Sequence, residues 1–211
     1  DVDRHIIFFG TNSVGSGILD PLLIRFGSQE SLTDFTPTAT NTAGDLRLSK
    51  GSEIITAVQT SRQILVYTDQ SLYSMQFIGA PFTFGVSLLA DNIRIAGPNV
   101  AIAVNDVVFW MGQENFYQYD GRIQVIPCSV RDYVFNDMNN QQSFKFHAGS
   151  IGSQTEIWWF YVSSGATEID RYVVYNYVQG IWYYGTLVRT AWNDRASGLR
   201  SFPQATGADF Y

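Results

Sequence analysis

The residues most often used in catalysis and metal binding are scarce in this chain. It has two histidines, His5 and His147, and a single cysteine, Cys128. Neither histidine has a partner at the spacing typical of a zinc site. Cys128 and His147 could form a thiol–imidazole pair, because such pairs are assembled in space rather than in sequence. We interpret both as ordinary strand or loop residues, and one cysteine excludes an intrachain disulfide.

Two stretches resemble ligand-binding loops only in part. Residues Gly10 to Gly17 contain the glycines of a phosphate-binding loop, but the lysine that should follow them is missing. The residues that come next are strand-like rather than helical, so we predict a hairpin loop here. Asp1 and Asp3 begin like a calcium loop, but the later ligands and the central glycine are missing.

Paired carboxylates are the remaining enzymatic option, because some β-propellers are glycosidases that use two carboxyl groups. The candidates are Asp106, Glu114, Asp120, Glu156 and Asp170. Most of them fall in turns, where aspartate is favoured for local hydrogen bonds, and nothing in the sequence marks two of them as a pair. Asp170 and its neighbour Arg171 are most simply an ion pair at the surface or a sheet edge. We therefore predict no catalytic, cofactor-binding or metal-binding residue, and a protein that is not an enzyme.

Aromatic residues could provide a different kind of site. Trp158, Trp159, Trp182 and Tyr183 could stack on sugars if they are exposed. Adjacent residues of a strand point to opposite faces, so at least half of these side chains are predicted to be core or inter-sheet packing.

The composition favours a β-rich fold with much buried or subunit-facing surface. Of the 211 residues, 45% are hydrophobic, 15% aromatic and only 15% charged, which is the opposite of a disordered chain. The net charge of −6 and the absence of any basic run exclude tight binding of nucleic acid through its phosphates. No apolar stretch approaches the length of a membrane span. The chain begins and ends within strand-like sequence, and we expect it to be an internal portion of a longer protein.

A hairpin pattern recurs along the chain, and its strands and turns contain the candidate carboxylates and aromatic residues. Each copy has a strand-like run in front of it, which makes four strands per copy, and the second strands begin at Ile64, Val107 and Ile157, 43 and 50 residues apart. Four short strands at a period of about 40–50 residues are typical of a β-propeller blade. We predict an all-β, propeller-like single domain over residues 1–211, with blade-like units at about 4–48 (partial), 54–90, 99–127, 144–185 and 186–211 (partial).

Less regular segments join these units. The stretch from Thr33 to Leu48 is rich in Thr, Asn, Gly and Pro and is predicted to be a long loop. A short helix is predicted from Ser129 to Asp137, with Ser129 as N-cap and Asp132 three residues later, as in a capping box. Val130, Tyr133 and Val134 would share one face of this helix.

Two groups of residues resemble virion structural proteins of tailed phages. The first is Asp20 to Phe26 followed by Pro37 to Leu48, and the second is Asp170 to Tyr177 with Trp182 to Leu187. The order of the elements is similar to that of the tail hub of short-tailed phages, also called the packaged-DNA stabilisation protein. These are packing motifs, so no functional residue of that family is transferred to this chain.

The resemblance implies a subunit of a homo-oligomeric ring, with an expected six-fold symmetry, below the portal and its adaptor protein. The ring would be the nozzle through which double-stranded DNA passes without specific binding. It would help to retain the packaged genome and would anchor spikes, fibres or a needle. The protein would be made in the host cytoplasm and reside in the virion tail. The net negative charge agrees with this role, because an acidic wall repels phosphate.

Two other functions remain open at this point. A carbohydrate-binding receptor module predicts a cluster of exposed aromatic residues, and a propeller glycosidase predicts two carboxylates that face each other across a pocket. A tail hub instead predicts large subunit interfaces, built from aromatic-rich strand ends and the loop from Thr33 to Leu48. Its channel wall would be acidic, from turn carboxylates such as Asp69, Asp106 and Asp120.

Overall fold

A computed structural model describes residues 3–188 and the backbone of two further strands, 191–193 and 204–206. Strands dominate the regular secondary structure of the described residues, and the chain divides into two compact units, Asp1–Ile95 and Ala96–Tyr211, which we call the N-terminal and C-terminal units. The prediction of an all-β fold is confirmed.

The N-terminal unit contains two antiparallel sheets whose strands are hydrogen-bonded in chain order. Sheet A is formed by β1 (Ile7–Phe9), β2 (Leu23–Phe26) and β3 (Gly44–Arg47). Sheet B is formed by β4 (Ile54–Gln59), β5 (Ile64–Thr68), β6 (Leu72–Gly79) and β7 (Thr83–Ala90).

The core of the N-terminal unit lies between sheets A and B. Ile24 and Phe26 alternate along β2, and Phe26 packs edge-on against Phe84 with ring centroids 4.9 Å apart. On β5, Ile64 and Val66 belong to the same core, while Leu65 and Tyr67 on the opposite face are also buried. Burial on both faces explains why β5 is an unbroken apolar run rather than an alternating one.

The C-terminal unit contains two four-stranded antiparallel sheets, whose strands are again hydrogen-bonded in chain order. Sheet C is formed by β8 (Ala101–Val104), β9 (Val107–Met111), β10 (Phe116–Tyr119) and β11 (Ile123–Ile126). Helix α1 (Arg131–Asp137) and a 3₁₀ helix (Asn140–Lys145) lead to sheet D, which is formed by β12 (His147–Ile151), β13 (Glu156–Tyr161), β14 (Arg171–Asn176) and β15 (Ile181–Thr186). A second 3₁₀ helix (Gly152–Gln154) joins β12 to β13, and β16 (Ala191–Asn193) pairs with β17 (Gln204–Thr206).

Aromatic side chains join sheets C and D. The ring of Phe116 on β10 lies 4.8 Å from that of Trp159 and 4.6 Å from that of Trp182, measured between centroids. The indole Nε1 of Trp159 donates a hydrogen bond of 2.9 Å to the carbonyl oxygen of Val100, just before β8. The fully buried Trp159 therefore satisfies its one polar atom while filling the space between the sheets.

The predicted repeat is confirmed as secondary structure. The units from Ile54 to Leu89, Val100 to Ile126 and Phe144 to Tyr184 each contain one four-stranded antiparallel sheet. The propeller-like arrangement of the sheets and the single domain over residues 1–211 stay predictions. Most of the partial unit at 186–211 lies outside the described residues, apart from the paired strands β16 and β17.

Two local predictions were wrong. The loop from Thr33 ends at residue 43, because β3 pairs with β2 through Ile24 and Leu46 and continues sheet A. The helix begins at Arg131 with Val130 at the N-cap position and no side-chain cap, so Ser129 does not cap it. Of the residues predicted to share one face of this helix, Val134 is buried, while Tyr133 is 41% exposed and packs against Tyr184 at 4.1 Å.

The start of sheet D also differs from the prediction. The first strand of the third copy begins at His147, and Phe144 lies in the 3₁₀ helix before it. Asn139 caps that helix, because its side chain accepts a hydrogen bond of 3.2 Å from the backbone N–H of Gln141. The residues around Phe144 therefore form a capped helical turn, where their apolar character had predicted an extended strand.

Candidate functional site

The β6–β7 hairpin extends beyond the rest of sheet B. Ile64 and Met75 form the last pair between β5 and β6, so Gln76 to Gly79 pair only with β7 among the described residues. No charged residue occurs between Asp69 and Asp91. The hairpin is therefore an uncharged projection from the sheet.

Apolar side chains cover the end of this projection. Phe77, Ile78 and Phe82, which we call the hairpin tip, are 41%, 56% and 73% exposed. The ring of Phe77 is anchored on one side, with centroids 5.7 Å from those of His5 and Phe84. Exposed apolar clusters on a rigid element mark interaction surfaces in soluble proteins. The hairpin tip is therefore the strongest candidate contact surface of the N-terminal unit.

The loop at residues 33–43 is exposed and held in shape by Asn41. The side chain of Asn41 accepts a hydrogen bond of 2.9 Å from the Thr38 backbone N–H. Its amide nitrogen donates to Asp34 Oδ2 at 3.0 Å and to the Thr36 carbonyl at 2.8 Å. Residues 36–40 are exposed, as a subunit contact requires. The loop therefore presents a defined and exposed surface, and its role in a subunit interface stays a prediction.

The turn carboxylates take part in local hydrogen bonds. Asp69 accepts bonds of 2.7 Å from both the backbone N–H and the hydroxyl of Ser52. Burial acts to raise the pKa of Asp69, but the hydrogen bonds from Ser52 and Glu53 hold it below the ordinary value. Asp120 accepts a bond of 3.3 Å from the backbone N–H of Arg122. These contacts agree with the expectation that aspartate stabilises turns.

Two of these carboxylates lie at one end of sheet C. Asp106 is in the β8–β9 turn and Asp120 follows β10, in the β10–β11 turn. Alternate turns of an antiparallel meander lie at the same end of its sheet, so both side chains belong to one end. Glu114 is in the β9–β10 turn at the opposite end. The two aspartates are exposed and add negative charge to that end of the sheet.

The two remaining glycosidase candidates lie at opposite ends of sheet D. Glu156 begins β13, and Asp170 precedes Arg171, which pairs with the last residue of that strand, Tyr161. Six residues of strand separate the two carboxylates by roughly 17 Å, too far for a catalytic pair. Glu156 accepts a hydrogen bond of 2.9 Å from Trp158 Nε1.

The predicted ion pair of Asp170 with Arg171 is present, with Nη1 and Oδ2 3.4 Å apart. Arg171 also has its Nε atom 3.4 Å from Asp137 Oδ2, a contact that has no signal in the sequence. Asp137 ends α1, 34 residues earlier in the chain, and only the packing of that helix on sheet D brings it here.

The thiol and imidazole groups occupy separate environments. Cys128 lies beside Trp182 in a shallow cleft, and burial raises its pKa to about 11, which makes it a weak nucleophile. His147 stacks on Phe160 at 4.7 Å, and burial lowers its pKa. Among the described residues no hydrogen bond joins the two. Over the same residues, which do not include Asp1, no group of three His, Cys, Asp or Glu side chains could hold a metal ion.

The aromatic residues alternate as the strand geometry predicts. Trp159 is buried between the sheets, and Trp182 packs against it at 6.0 Å. Trp158 points to the other face of sheet D and stacks on Tyr172 at 4.9 Å. Tyr183 is partly exposed, on the same side as Trp158.

The chain matches no protein-family model and no curated protein sequence. The resemblance to phage tail hubs therefore stays a prediction that rests on the motifs quoted above. Within the described part of the chain, the helices are too short and too polar to cross a membrane.

Proposed function

We propose that this chain is a structural subunit of a phage tail hub, which assembles into a nozzle ring around the path of the DNA. It acts by assembly and by lining a channel, with no bond-breaking step. In the tail it contacts further copies of itself, the portal adaptor and the spikes, fibres or needle.

The observation that carries this proposal is the exposed hairpin tip on sheet B. Phe77, Ile78 and Phe82 expose apolar surface from a stretch of 21 residues without a charge, 70–90. Keeping such a surface in water is unfavourable, at roughly 25 cal/mol for each Å² of apolar area. Burial of this surface against a neighbouring subunit removes that cost, as in obligate protein interfaces.

The arrangement of the carboxylates supports a scaffold over a glycosidase. Asp69 and Asp120 hold turns, Glu156 bonds an indole, and Asp170 pairs with arginine. Exposed aspartates in turns also suit a channel wall, because fixed negative charges keep DNA phosphates at a distance.

Sedimentation velocity of the purified full chain at micromolar concentration tests the assembly. We expect species several times heavier than the 23.7 kDa monomer. Phe82→Asp should shift the distribution towards the monomer, because burying an unpaired carboxylate opposes the interface.

A matched control separates this effect from a general loss of solubility. Val125 on β11 is 54% exposed and lies outside the hairpin tip and the loop at 33–43, so Val125→Asp should assemble like the wild type. A wild-type chain that sediments as a monomer, or a Phe82→Asp variant that assembles normally, would contradict the proposal.

A further inference from the structure

A shallow cleft in the C-terminal unit lies between the segment that follows β11 and the start of β15. Its volume is about 490 Å³. It is lined by Pro127, Cys128, Ser129, Gly180, Ile181 and Trp182. The indole Nε1 of Trp182 donates a hydrogen bond of 2.8 Å to the carbonyl oxygen of Pro127, so the two walls of the cleft are bonded to each other.

This cleft offers apolar contacts and no charge. None of its lining residues is charged, and the stretches that contain them, residues 123–130 and 172–188, have no charged residue either. The bond from Trp182 to Pro127 satisfies the one polar atom of the indole. Ile181 at the rim is 50% exposed. An occupant would therefore be held by apolar contact rather than by charge.

The hairpin tip has a complementary shape and the same lack of charge. Phe82, the most exposed of its three residues, lies in the turn between β6 and β7, at the end of the two-stranded projection. The volume of the cleft falls within the range of pockets that enclose small ligands, so it has room for the ring of Phe82. Aromatic pairs contribute more than the area they bury, so Trp182 is a suitable contact for that ring.

A closed ring of identical subunits needs two different surfaces on each subunit. A surface that meets its own copy produces a two-fold dimer, whereas a head-to-tail contact between unlike surfaces can close into a ring. This step rests on the ring function proposed above. The hairpin tip is a projecting apolar surface and the cleft is a receiving one, so one chain carries both halves of a head-to-tail contact.

We propose that the hairpin tip of one copy of this chain occupies the cleft beside Trp182, the Trp182 cleft, in the next copy. Phe82 enters the cleft and packs against Trp182 and Ile181. The contact removes apolar surface from water on both sides and brings no charge into the interface, as in the centres of subunit interfaces.

The assembly control Val125 lies outside this contact. It pairs with Tyr117, and adjacent residues of a strand point to opposite faces, so Val125 lies on the face of sheet C opposite that of Phe116. Phe116 is the residue of sheet C that contacts Trp182, with centroids 4.6 Å apart. Val125→Asp therefore leaves the Trp182 cleft free.

Thiol cross-linking between two variants tests the contact. Cys128→Ser first removes the one native thiol. In that background, Ala80→Cys places a thiol in the exposed turn of the hairpin, and Ser129→Cys places one on the exposed wall of the cleft. A short bismaleimide should join the two variants into mixed dimers, and neither variant should cross-link alone. Ser164→Cys, at an exposed serine beyond the other end of sheet D, is the matched control and should give no mixed dimer.

Alanine variants measure the same contact without a cross-linker. Phe82→Ala and Ile181→Ala should each weaken self-association about tenfold in sedimentation experiments, because each removes apolar surface from one side of the contact. The double variant should lose much less than the roughly hundredfold expected of independent sites, because the two side chains meet. Both side chains are exposed, so the thermal midpoints should stay the same.

Three results would overturn the proposal: no mixed dimers form, the Ala80→Cys variant cross-links with itself, or the double alanine variant loses the full product of the single effects. Oligomers that assemble without mixed dimers would exclude this contact and leave the ring intact. Mixed dimers from chains that form open filaments in electron micrographs would contradict the nozzle ring and leave this contact in place.

Discussion

Gly51 occupies a position where a side chain has no room. Its φ of +102° is unfavourable for other residues, and a Cβ atom there would lie 2.6 Å from Thr68 Oγ1 and 2.8 Å from Asp69 Oδ1. We expect Gly51→Ala to lower the free energy of unfolding by about 2–3 kcal/mol, through strain and a clash together. Urea denaturation followed by far-ultraviolet circular dichroism, which reports on both units, measures this loss.

Gly121 is the matched control for Gly51. Its φ of +112° is equally unfavourable, but no atom lies within 4 Å of its Cβ position. Gly121→Ala should therefore cost only the backbone strain, about 1 kcal/mol. Equal losses in the two variants would show that a clash with Thr68 contributes nothing to the cost at Gly51.

His147 makes the stability depend on pH. Burial lowers its pKa below the ordinary value of 6.5, although a hydrogen bond with the Lys145 backbone opposes this. The unfolded chain therefore binds a proton first as the pH falls, and the stability that neutral His147 contributes above pH 6.5 is progressively lost below it.

We expect the free energy of unfolding to fall as the pH is lowered through the range of about 7.5 to 5.5. His147→Gln should flatten this dependence but leave part of it, because burial also lowers the pKa of His5. Denaturant titrations at a series of pH values test this. An unchanged slope in the variant would exclude His147 as the titrating group.

At the scale of residues, contacts between neighbours in the sequence were predictable, and contacts formed by tertiary packing were not. The Asp170–Arg171 contact could be predicted because the residues are adjacent. The approach of Asp137 to Arg171 could not, because it depends on where α1 ends and how it lies on sheet D. The buried hydroxyl of Tyr161 likewise has no signal in the sequence.

At the scale of elements, Asn176 connects two turns of sheet D. Its side-chain oxygen accepts bonds of 3.2 and 2.8 Å from the backbone N–H groups of Val178 and Gln179, in the β14–β15 turn. Its amide nitrogen donates to the Gln154 carbonyl at 3.0 Å, before β13. Asn176→Ala removes these part-buried hydrogen bonds and should destabilise the protein by about 1–2 kcal/mol.

Two further variants define the origin of that effect. Asn176→Asp keeps the acceptors but loses the donor to Gln154, so its stability should lie between those of Asn176→Ala and the wild type. Gln179→Ala should be almost neutral, because Gln179 is exposed and contributes its backbone N–H. Thermal unfolding compares them, and an aspartate variant as unstable as the alanine variant would assign the effect to the donor alone.

Strands with strong apolar patterns were predictable, and elements set by local hydrogen bonds were not. Strands β5 and β9 begin at the predicted Ile64 and Val107, and β13 begins one residue before the predicted Ile157, because long β-branched and aromatic runs have few alternatives. The short strand β3 was missed, since its pairing with β2 and not its own composition makes it extended. The 3₁₀ helix at Asn140–Lys145 was missed because its Asn139 cap outweighs the apolar residues.

For the whole molecule, the negative charge predicts weak interaction with DNA. With 19 acidic and 13 basic residues, the chain lacks the excess of positive charge that binds phosphates. Duplex DNA should not bind measurably at physiological salt in a fluorescence anisotropy titration. Detectable, salt-dependent binding would contradict the proposal that the channel wall lets DNA pass freely.

The same account predicts that single carboxylates are not essential. Asp106→Asn, Glu114→Gln, Asp120→Asn and Glu156→Gln should each leave virion assembly and infectivity largely intact, because the proposed ring function requires no bond-breaking step. Plaque counts and electron micrographs of each variant measure this. Virions that assemble and retain their DNA but lose infectivity would instead favour a glycosidase.

The central claim is that the chain is a subunit of the tail nozzle ring. Electron cryo-microscopy of virions labelled with an antibody fragment against this chain tests it most directly. We predict fragments arranged around a closed ring below the portal, with the expected six-fold symmetry and an open channel along its axis. Virions that carry no label, or label confined to fibre tips or to the capsid, would contradict the claim.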